Sequence, residues 1–371
     1  MKVLVVFGTR PEAIKMCPLV LRLREHPGID TRVCVTGQHR SMLDQVLEIF
    51  AIQPDYDLDI MKADQTLASI TTSVLENMGA VLADYKPDIV LVHGDTTTSM
   101  SAALAAFYRQ IPVGHVEAGL RTYNIYSPFP EEMNRRLITA LATYFFAPTE
   151  GNRQALAIEG ITNNVYVTGN TVIDAFQYTV SDDYVFHNGT LASYDWSNGK
   201  TVLMTAHRRE NLGQPLKNIC QAVAELCHLH PELHFIYPVH LNPAVREPVF
   251  NILGGLPQVT LIDPIDVQDM HNALRRCWLV MTDSGGLQEE APHLGKPVLV
   301  LRTETERPEA VVAGTVAVVG VEQSSIVGQV NLLLTDVDCY TQMSVAVNPY
   351  GDGHASERIC DVLSALGRDL G

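Results

Sequence analysis

No stretch of this 371-residue chain approaches the ~20 consecutive apolar residues that a membrane-spanning helix requires. The opening run, Met1-Lys-Val-Leu-Val-Val-Phe-Gly8, is too short for a secretory signal and lacks a small-residue cleavage site. Positive charge is scarce: 26 Lys and Arg stand against 42 Asp and Glu, for a net charge of −16. That deficit argues against nucleic acid or an anionic membrane as partners, and an anionic ligand would have to be held by local features such as helix N-termini and a few placed cations. The cysteines, at 17, 34, 220, 227, 277, 339 and 360, form no C-x-x-C and no metal-ligand spacing. Their scatter and odd number suit buried thiols in a reducing compartment. No G-x-G-x-x-G occurs, so the dinucleotide fingerprint is missing as well. What remains is a cytoplasmic globular protein with no metal site and no bound redox cofactor.

The chain carries 46% apolar residues, enough for sizeable cores, and its length suits two domains. Apolar strand patterns alternate with amphipathic helical ones. Strands are expected at 3–7, 32–36, 89–93, 112–116, 144–147 and 165–168, with helices at 13–25, 40–50, 66–85 and 97–109. The pattern lapses around Ser181–Gly199, a connecting or peripheral segment near a domain boundary. A second series follows, with strands at 201–205, 233–237, 259–262, 278–282, 298–301 and 317–319. Helices are expected there at 215–230, 267–276 and 325–335, and a terminal one at 355–366. Such alternation predicts an α/β protein of two parallel-sheet domains facing a cleft, with ligands beyond the carboxyl ends of the strands.

Several strand ends carry chemistry. Phe7-Gly-Thr-Arg-Pro-Glu-Ala-Ile-Lys15 joins a strand to a helix, with Arg10 and Lys15 placed to meet an anion. His93-Gly-Asp-Thr-Thr-Thr98 follows another strand, where Asp95 could equally cap the helix over 96–109. Glu117 ends the next strand. Pro130 sits where a helix would begin, and Glu131 shares a face of that helix with Arg135, four residues on. Three acids, Asp95, Glu117 and Glu131, thus converge on one sheet edge, where they would raise one another's pKa toward neutrality. In the second half His207, beside Arg208 and Arg209, follows the first strand; either this is a polar loop with exposed arginines, or imidazolium and guanidinium there neutralise a leaving anion. His240 occupies a similar place in the next unit and reads as structural or peripheral. Asp283-Ser-Gly-Gly-Leu-Gln-Glu-Glu290 is the strongest phosphate signal: Ser284, Gly285 and Gly286 open a helix, and Glu290 could accept from ribose hydroxyls. Arg302–Glu309 carries two arginines; it could line a ligand pocket or be a solvated charge run, and taken alone it reads as the latter.

These motifs together resemble the non-hydrolysing UDP-N-acetylglucosamine 2-epimerases of bacteria. The likeness runs nearly end to end, through Phe7–Lys15, Val92–Thr98, Gly114-His-Val-Glu-Ala-Gly-Leu-Arg-Thr122, Thr282–Gly286 and Asn348-Pro-Tyr-Gly-Asp-Gly353. It implies the GT-B architecture, two Rossmann-like domains at 1–169 plus 354–371 and at 170–353, with the terminal helix crossing back to the N-terminal domain. It implies interconversion of UDP-GlcNAc and UDP-ManNAc by elimination and re-addition of UDP, without a cofactor, for cell-surface polysaccharide. It implies Asp95, Glu117, Glu131 and His207 as catalytic, and Arg10, Lys15, Arg135, Ser284, Gly285, Gly286, Glu290 and Arg307 as nucleotide contacts. A homodimer is expected. The alternatives are a hydrolysing epimerase releasing ManNAc and UDP, or a GT-B glycosyltransferase. The chain departs from the family pattern at Tyr123, Thr303 and Glu304. Ser41 and Asp64 stand where some members that are activated by their own substrate carry Gln and Arg.

Overall fold

A computed structural model describes residues 1–37, 40–61 and 65–369. Gln38, His39 and Asp64, and the side chains of Arg40 and Ser41, lie outside the described residues. The chain forms two compact units, Met1–Tyr178 with Tyr350–Gly371, and Thr179–Pro349. Residues 170–178 and 350–353, expected with the second domain, therefore pack with the first. The reason is apolar: Val172, Ile173, Ala175 and Phe176 are buried, and the Asn170 N–H donates to the Tyr350 carbonyl at 2.7 Å.

In the first unit seven strands form one sheet: β1 (Lys2–Phe7), β2 (Asp30–Val35), β3 (Tyr56–Asp57), β4 (Ile89–His93), β5 (Val113–Val116), β6 (Tyr144–Ala147) and β7 (Val165–Val167). Their order is β3-β2-β1-β4-β5-β6-β7, with every pairing parallel. A parallel sheet must be covered on both faces, and β1 shows how. Val3, Val5 and Phe7 pack with Met16, Val20 and Leu23 of the helix Arg10–Glu25, whereas Leu4 and Val6 turn to Val74 and Met78 of the helix Leu67–Tyr85. Each such side chain contributes about 1.5–3 kcal/mol on burial. The last helix, Ala355–Asp369, sets Ile359 and Leu363 into the same core as the helix Arg10–Glu25. Its first turn is tied down by Asp174, whose carboxylate accepts from the backbone N–H groups of Ala355 and Ser356 at 3.2 and 2.6 Å.

In the second unit six strands, β8 (Lys200–Thr205), β9 (Leu233–Pro238), β10 (Val259–Ile262), β11 (Leu279–Thr282), β12 (Val298–Val300) and β13 (Val316–Val318), run in the order β10-β9-β8-β11-β12-β13, again all parallel. The segment where periodicity lapses folds onto this unit through aromatic packing rather than regular structure. Phe186 stacks on Trp196 with centroids 5.3 Å apart, and the Arg276 guanidinium lies 4.8 Å from the Phe186 ring.

Both sheets reverse their winding once, between β1 and β4 and between β8 and β11. At such a switch point the loops beyond the carboxyl ends part and leave room for a ligand. The chemistry-bearing motifs sit at these two places.

Candidate active-site residues

At the first switch point a buried carboxylate organises the loops. Glu12, 2% exposed, takes the N–H groups of Gly8 and Thr9 at 3.0 and 2.8 Å on one oxygen. Its other oxygen accepts from the hydroxyls of Thr96 and Ser99 at 2.6 and 2.8 Å. The turn after β1 is thereby fastened to the turn after β4, which fixes the spacing of Arg10 and Asp95. Glu12 is absent from the expected site residues, although Thr9-x-x-Glu12 is a recognisable capping box. The helix after β4 is capped by Thr96, not Asp95, which leaves the Asp95 side chain available.

Asp95 pairs with Arg135, and Asn134 Nδ2 donates to the Asp95 carbonyl at 2.9 Å. The arginine's other partner is Glu132, at 3.0 Å, rather than the expected Glu131. Glu132 is fully buried and also accepts the N–H groups of Thr122 and Tyr123 at 3.0 and 3.1 Å, so it serves as the anchor of the loop. Glu131 is left facing another way. Its Oε2 is buried without a hydrogen-bond partner, and it lines a pocket of about 390 Å³ with Arg10, Asp95 and Asn134. Arg10 forms no ion pair with a carboxylate among the described residues.

Glu117 does not line that pocket. Both of its oxygens lie 2.7 Å from Lys15 Nζ, one lies 2.7 Å from His93 Nε2, and Asn170 Nδ2 donates to the other at 3.3 Å. Its backbone is left-handed, with φ of 63°, a conformation costly for a residue with a side chain and most often found at functional sites. The expectation that the acids raise one another's pKa fails here. Burial alone would raise Glu117, but the charges of Lys15 and His93 outweigh it and hold the carboxyl well below its usual range. His115, on the neighbouring strand, is the opposite case: burial pushes it down to about 4, and Nε2 meets the Gly94 carbonyl at 2.7 Å.

At the second switch point Asp283 plays the organising part. It is fully buried, and Oδ2 accepts from the N–H groups of His207 and Arg208 at 2.7 and 2.8 Å and from Asn211 Nδ2 at 3.0 Å. His207 Nδ1 stands 3.6 Å from the other Asp283 oxygen, and the His240 ring lies parallel to it, 8° apart with centroids at 5.4 Å. Although 39% of the His207 side chain is exposed, desolvation lowers its pKa; Asp283 opposes that shift, while His240 and Arg208 add to it. The unliganded ring therefore favours the neutral form over the imidazolium expected from sequence.

Ser284 precedes the helix Gly285–His293, and its hydroxyl makes no capping bond. A Cβ placed on Gly285 would lie 3.6 Å from Arg208 Nη2 and 3.8 Å from Arg307 Nη2, so two guanidinium groups flank the helix start. Arg307 is 8% exposed and ion-paired with Glu289; Arg302 pairs with Glu210 at 2.7 Å. The segment 302–309 is thus packed, and its reading as a solvated run is overturned. Glu290, one turn into the helix, is 3.5 Å from His271 Nε2. Arg208, whose guanidinium beside His207 the sequence offers as a candidate contact for a leaving anion, stands at this helix start.

The family model for UDP-N-acetylglucosamine 2-epimerase matches residues 21–364. The chain belongs to the UDP-N-acetylglucosamine 2-epimerase family. It is 53% identical over 369 residues to the UDP-N-acetylglucosamine 2-epimerase of Escherichia coli K12, with 98% of each chain covered. Among solved structures it is similar to UDP-GlcNAc 2-epimerase from Neisseria meningitidis bound to UDP-GlcNAc, at TM-score 0.90 and 50% identity, covering 98% of this chain and 100% of that one. It is likewise similar to an S. aureus MnaA–UDP co-structure, at TM-score 0.89 and 48% identity, covering 98% and 96%. As in other epimerases of this family, two all-parallel α/β domains carry the motifs. Among the described residues no helix is long and apolar enough to cross a membrane.

Proposed function

We propose that the protein interconverts UDP-GlcNAc and UDP-ManNAc by inverting the second sugar carbon without a hydrolytic step. The observation that carries this reading is the unlike setting of two carboxyls on one sheet edge. Glu117 is held ionised by Lys15, His93 and Asn170, whereas Glu131 presents an oxygen with no partner. Acid–base pairs divide their work in this way.

The hydrogen on the second carbon has no adjacent carbonyl to acidify it, so its removal is coupled to loss of UDP. A carboxylate takes the proton, the electron pair forms the carbon–carbon double bond of 2-acetamidoglucal, and the bond from the first carbon to the diphosphate breaks. In the return step the diphosphate oxygen re-attacks the first carbon while a proton is delivered to the opposite face of the second. Atoms and charge balance with no oxidant. Asp95, Glu117 and Glu131 perform the proton transfers, each positioned group contributing roughly 10²–10⁴-fold. Lys15 and Arg135, each bound to an acid, hold those acids in place, and Arg10 is a cation available to an anion. The diphosphate is held by Ser284, Gly285, Gly286, Arg208 and Arg307, where a helix start and two guanidinium groups favour negative charge. His207 stands where its ring N–H can donate to the departing diphosphate oxygen with no net proton gain, and Glu290 meets the ribose hydroxyls.

Purified protein incubated with UDP-GlcNAc alone in D₂O should yield UDP-ManNAc carrying one deuterium at the second sugar carbon. Unlabelled product would exclude proton abstraction with solvent exchange. Free ManNAc with UDP would favour a hydrolysing enzyme, and no conversion without an acceptor would favour a glycosyltransferase. A cytoplasmic homodimer supplying ManNAc units for surface polysaccharide completes the proposal; light scattering on the purified protein checks the oligomeric state.

A further inference from the structure

We infer that His93 is a positioning residue for Glu117, holding the carboxylate that takes part in proton transfer. The inference rests on the epimerase reading above and deepens it, because there His93 counts only as a charge beside Glu117 and here it fixes how that carboxylate is turned.

His93 is the last residue of β4 and is 4% exposed. In the sheet it lies across from Val116, so the residue after its partner is Glu117. Its Nε2 stands 2.7 Å from Glu117 Oε2 without meeting full hydrogen-bond geometry. The contact is a close electrostatic one rather than a fully aligned hydrogen bond. The main chain of His93 is fixed independently, since Ser99 Oγ donates to its carbonyl at 2.7 Å. The histidine ring is therefore carried on a rigid strand end, whereas Lys15 reaches Glu117 on a flexible stem.

The groups that face Glu117 are Lys15 from the helix Arg10–Glu25, His93 from β4 and the neutral amide of Asn170 at the start of the helix Thr171–Asp174. The neighbouring carboxylate, Asp95, is taken up by Arg135, and His115 is turned to the Gly94 carbonyl. Lys15 neutralises the carboxylate but meets both oxygens at once, which leaves rotation about the final side-chain bond weakly defined. A ring against Oε2 and an amide against Oε1 define it. A base aimed at a carbon-bound hydrogen needs that definition, because misplacement by about 1 Å can cost on the order of 10²-fold.

The test compares His93→Leu and His93→Gln with the wild type, following UDP-GlcNAc conversion across pH. Replacement by Leu should lower kcat at least tenfold with KM within twofold. It should also move the acid limb of the kcat profile to higher pH, since Glu117 loses a group that favours its charged form. Gln, which keeps a donor, should recover part of kcat and return the limb toward the wild-type position. If the Leu variant does not fold, the Gln variant must still show a partial kcat loss at unchanged KM. A limb that stays in place in the Leu variant, a Gln variant that recovers no kcat over Leu, a Gln variant with wild-type kcat, or a loss confined to KM, overturns the assignment. Failure of the wild type to convert UDP-GlcNAc would instead overturn the epimerase reading.

Discussion

Glu117 and Lys15 stand 102 positions apart in the chain, yet Lys15 Nζ meets both carboxylate oxygens at 2.7 Å. The pairing makes a prediction about stability. Folding lowers the Glu117 pKa, so the stabilisation it brings is complete above the unfolded value near pH 4–5 and disappears as pH falls through the lower folded value. Lys15→Met should cost about 3 kcal/mol at pH 7, the low end for stripping one partner from a buried pair, because His93 and Asn170 remain. The gap to the wild type should narrow on acidification, once Glu117 in the variant is protonated. Denaturant unfolding at pH 7 and pH 4 measures both. Which acids matter was legible from the motifs, but their partners were not. Glu131 and Glu132 are adjacent on one helix and point about 100° apart. Nothing local says that Glu132 takes the arginine and the buried place while Glu131 is left uncommitted. That decision is made by the loop at 122–123, whose N–H groups need an acceptor.

At the scale of elements, the strand ends were the easiest feature to foresee and the short edge strand the hardest. Ile89–His93, Tyr144–Ala147 and Val259–Ile262 fall where unbroken β-branched or aromatic runs predict them. β3 is two residues, Tyr56 and Asp57, and is a strand only because β2 offers it an edge. The helix start at Gly285 is the element that carries the phosphate reading, and its glycine can be tested without disturbing the fold. A methyl there meets nothing nearer than 3.6 Å, so Gly285→Ala should change stability by less than about 0.5 kcal/mol. The same methyl would occupy the space between the Arg208 and Arg307 guanidinium groups and the helix N–H groups. UDP affinity should therefore fall at least about tenfold, equivalent to 1.4 kcal/mol. Calorimetry with UDP and a thermal melt of the same sample give the two numbers; unchanged affinity would move the diphosphate elsewhere.

For the whole molecule, the first unit is assembled from two separated lengths of chain, 1–178 and 350–371. Leu363 is fully buried in a core that it shares with the opening strand and helix and with residues of β2, β4, β5 and β6. Leu363→Ala should cost about 2–5 kcal/mol, as for other large-to-small changes in a packed interior, and should show as a lowered midpoint in thermal unfolding. Proton-transfer residues are untouched, so kcat measured well below that midpoint should be retained. The two-series pattern of strands made two domains readable from sequence, but the exact seam was not. Residues 170–178 carry no strong periodic signal, and their side assignment follows from Val172, Ile173 and Phe176 finding burial in the first unit.

The return of the chain at Tyr350 also sets an order of events during synthesis. A ribosome releases the helix Arg10–Glu25 early, but the helix Ala355–Asp369 that packs on it emerges only after every residue of the second unit has been made. The first unit is therefore completed only after the second has been made, and until then the helix Arg10–Glu25 lacks the cover that the last helix gives it.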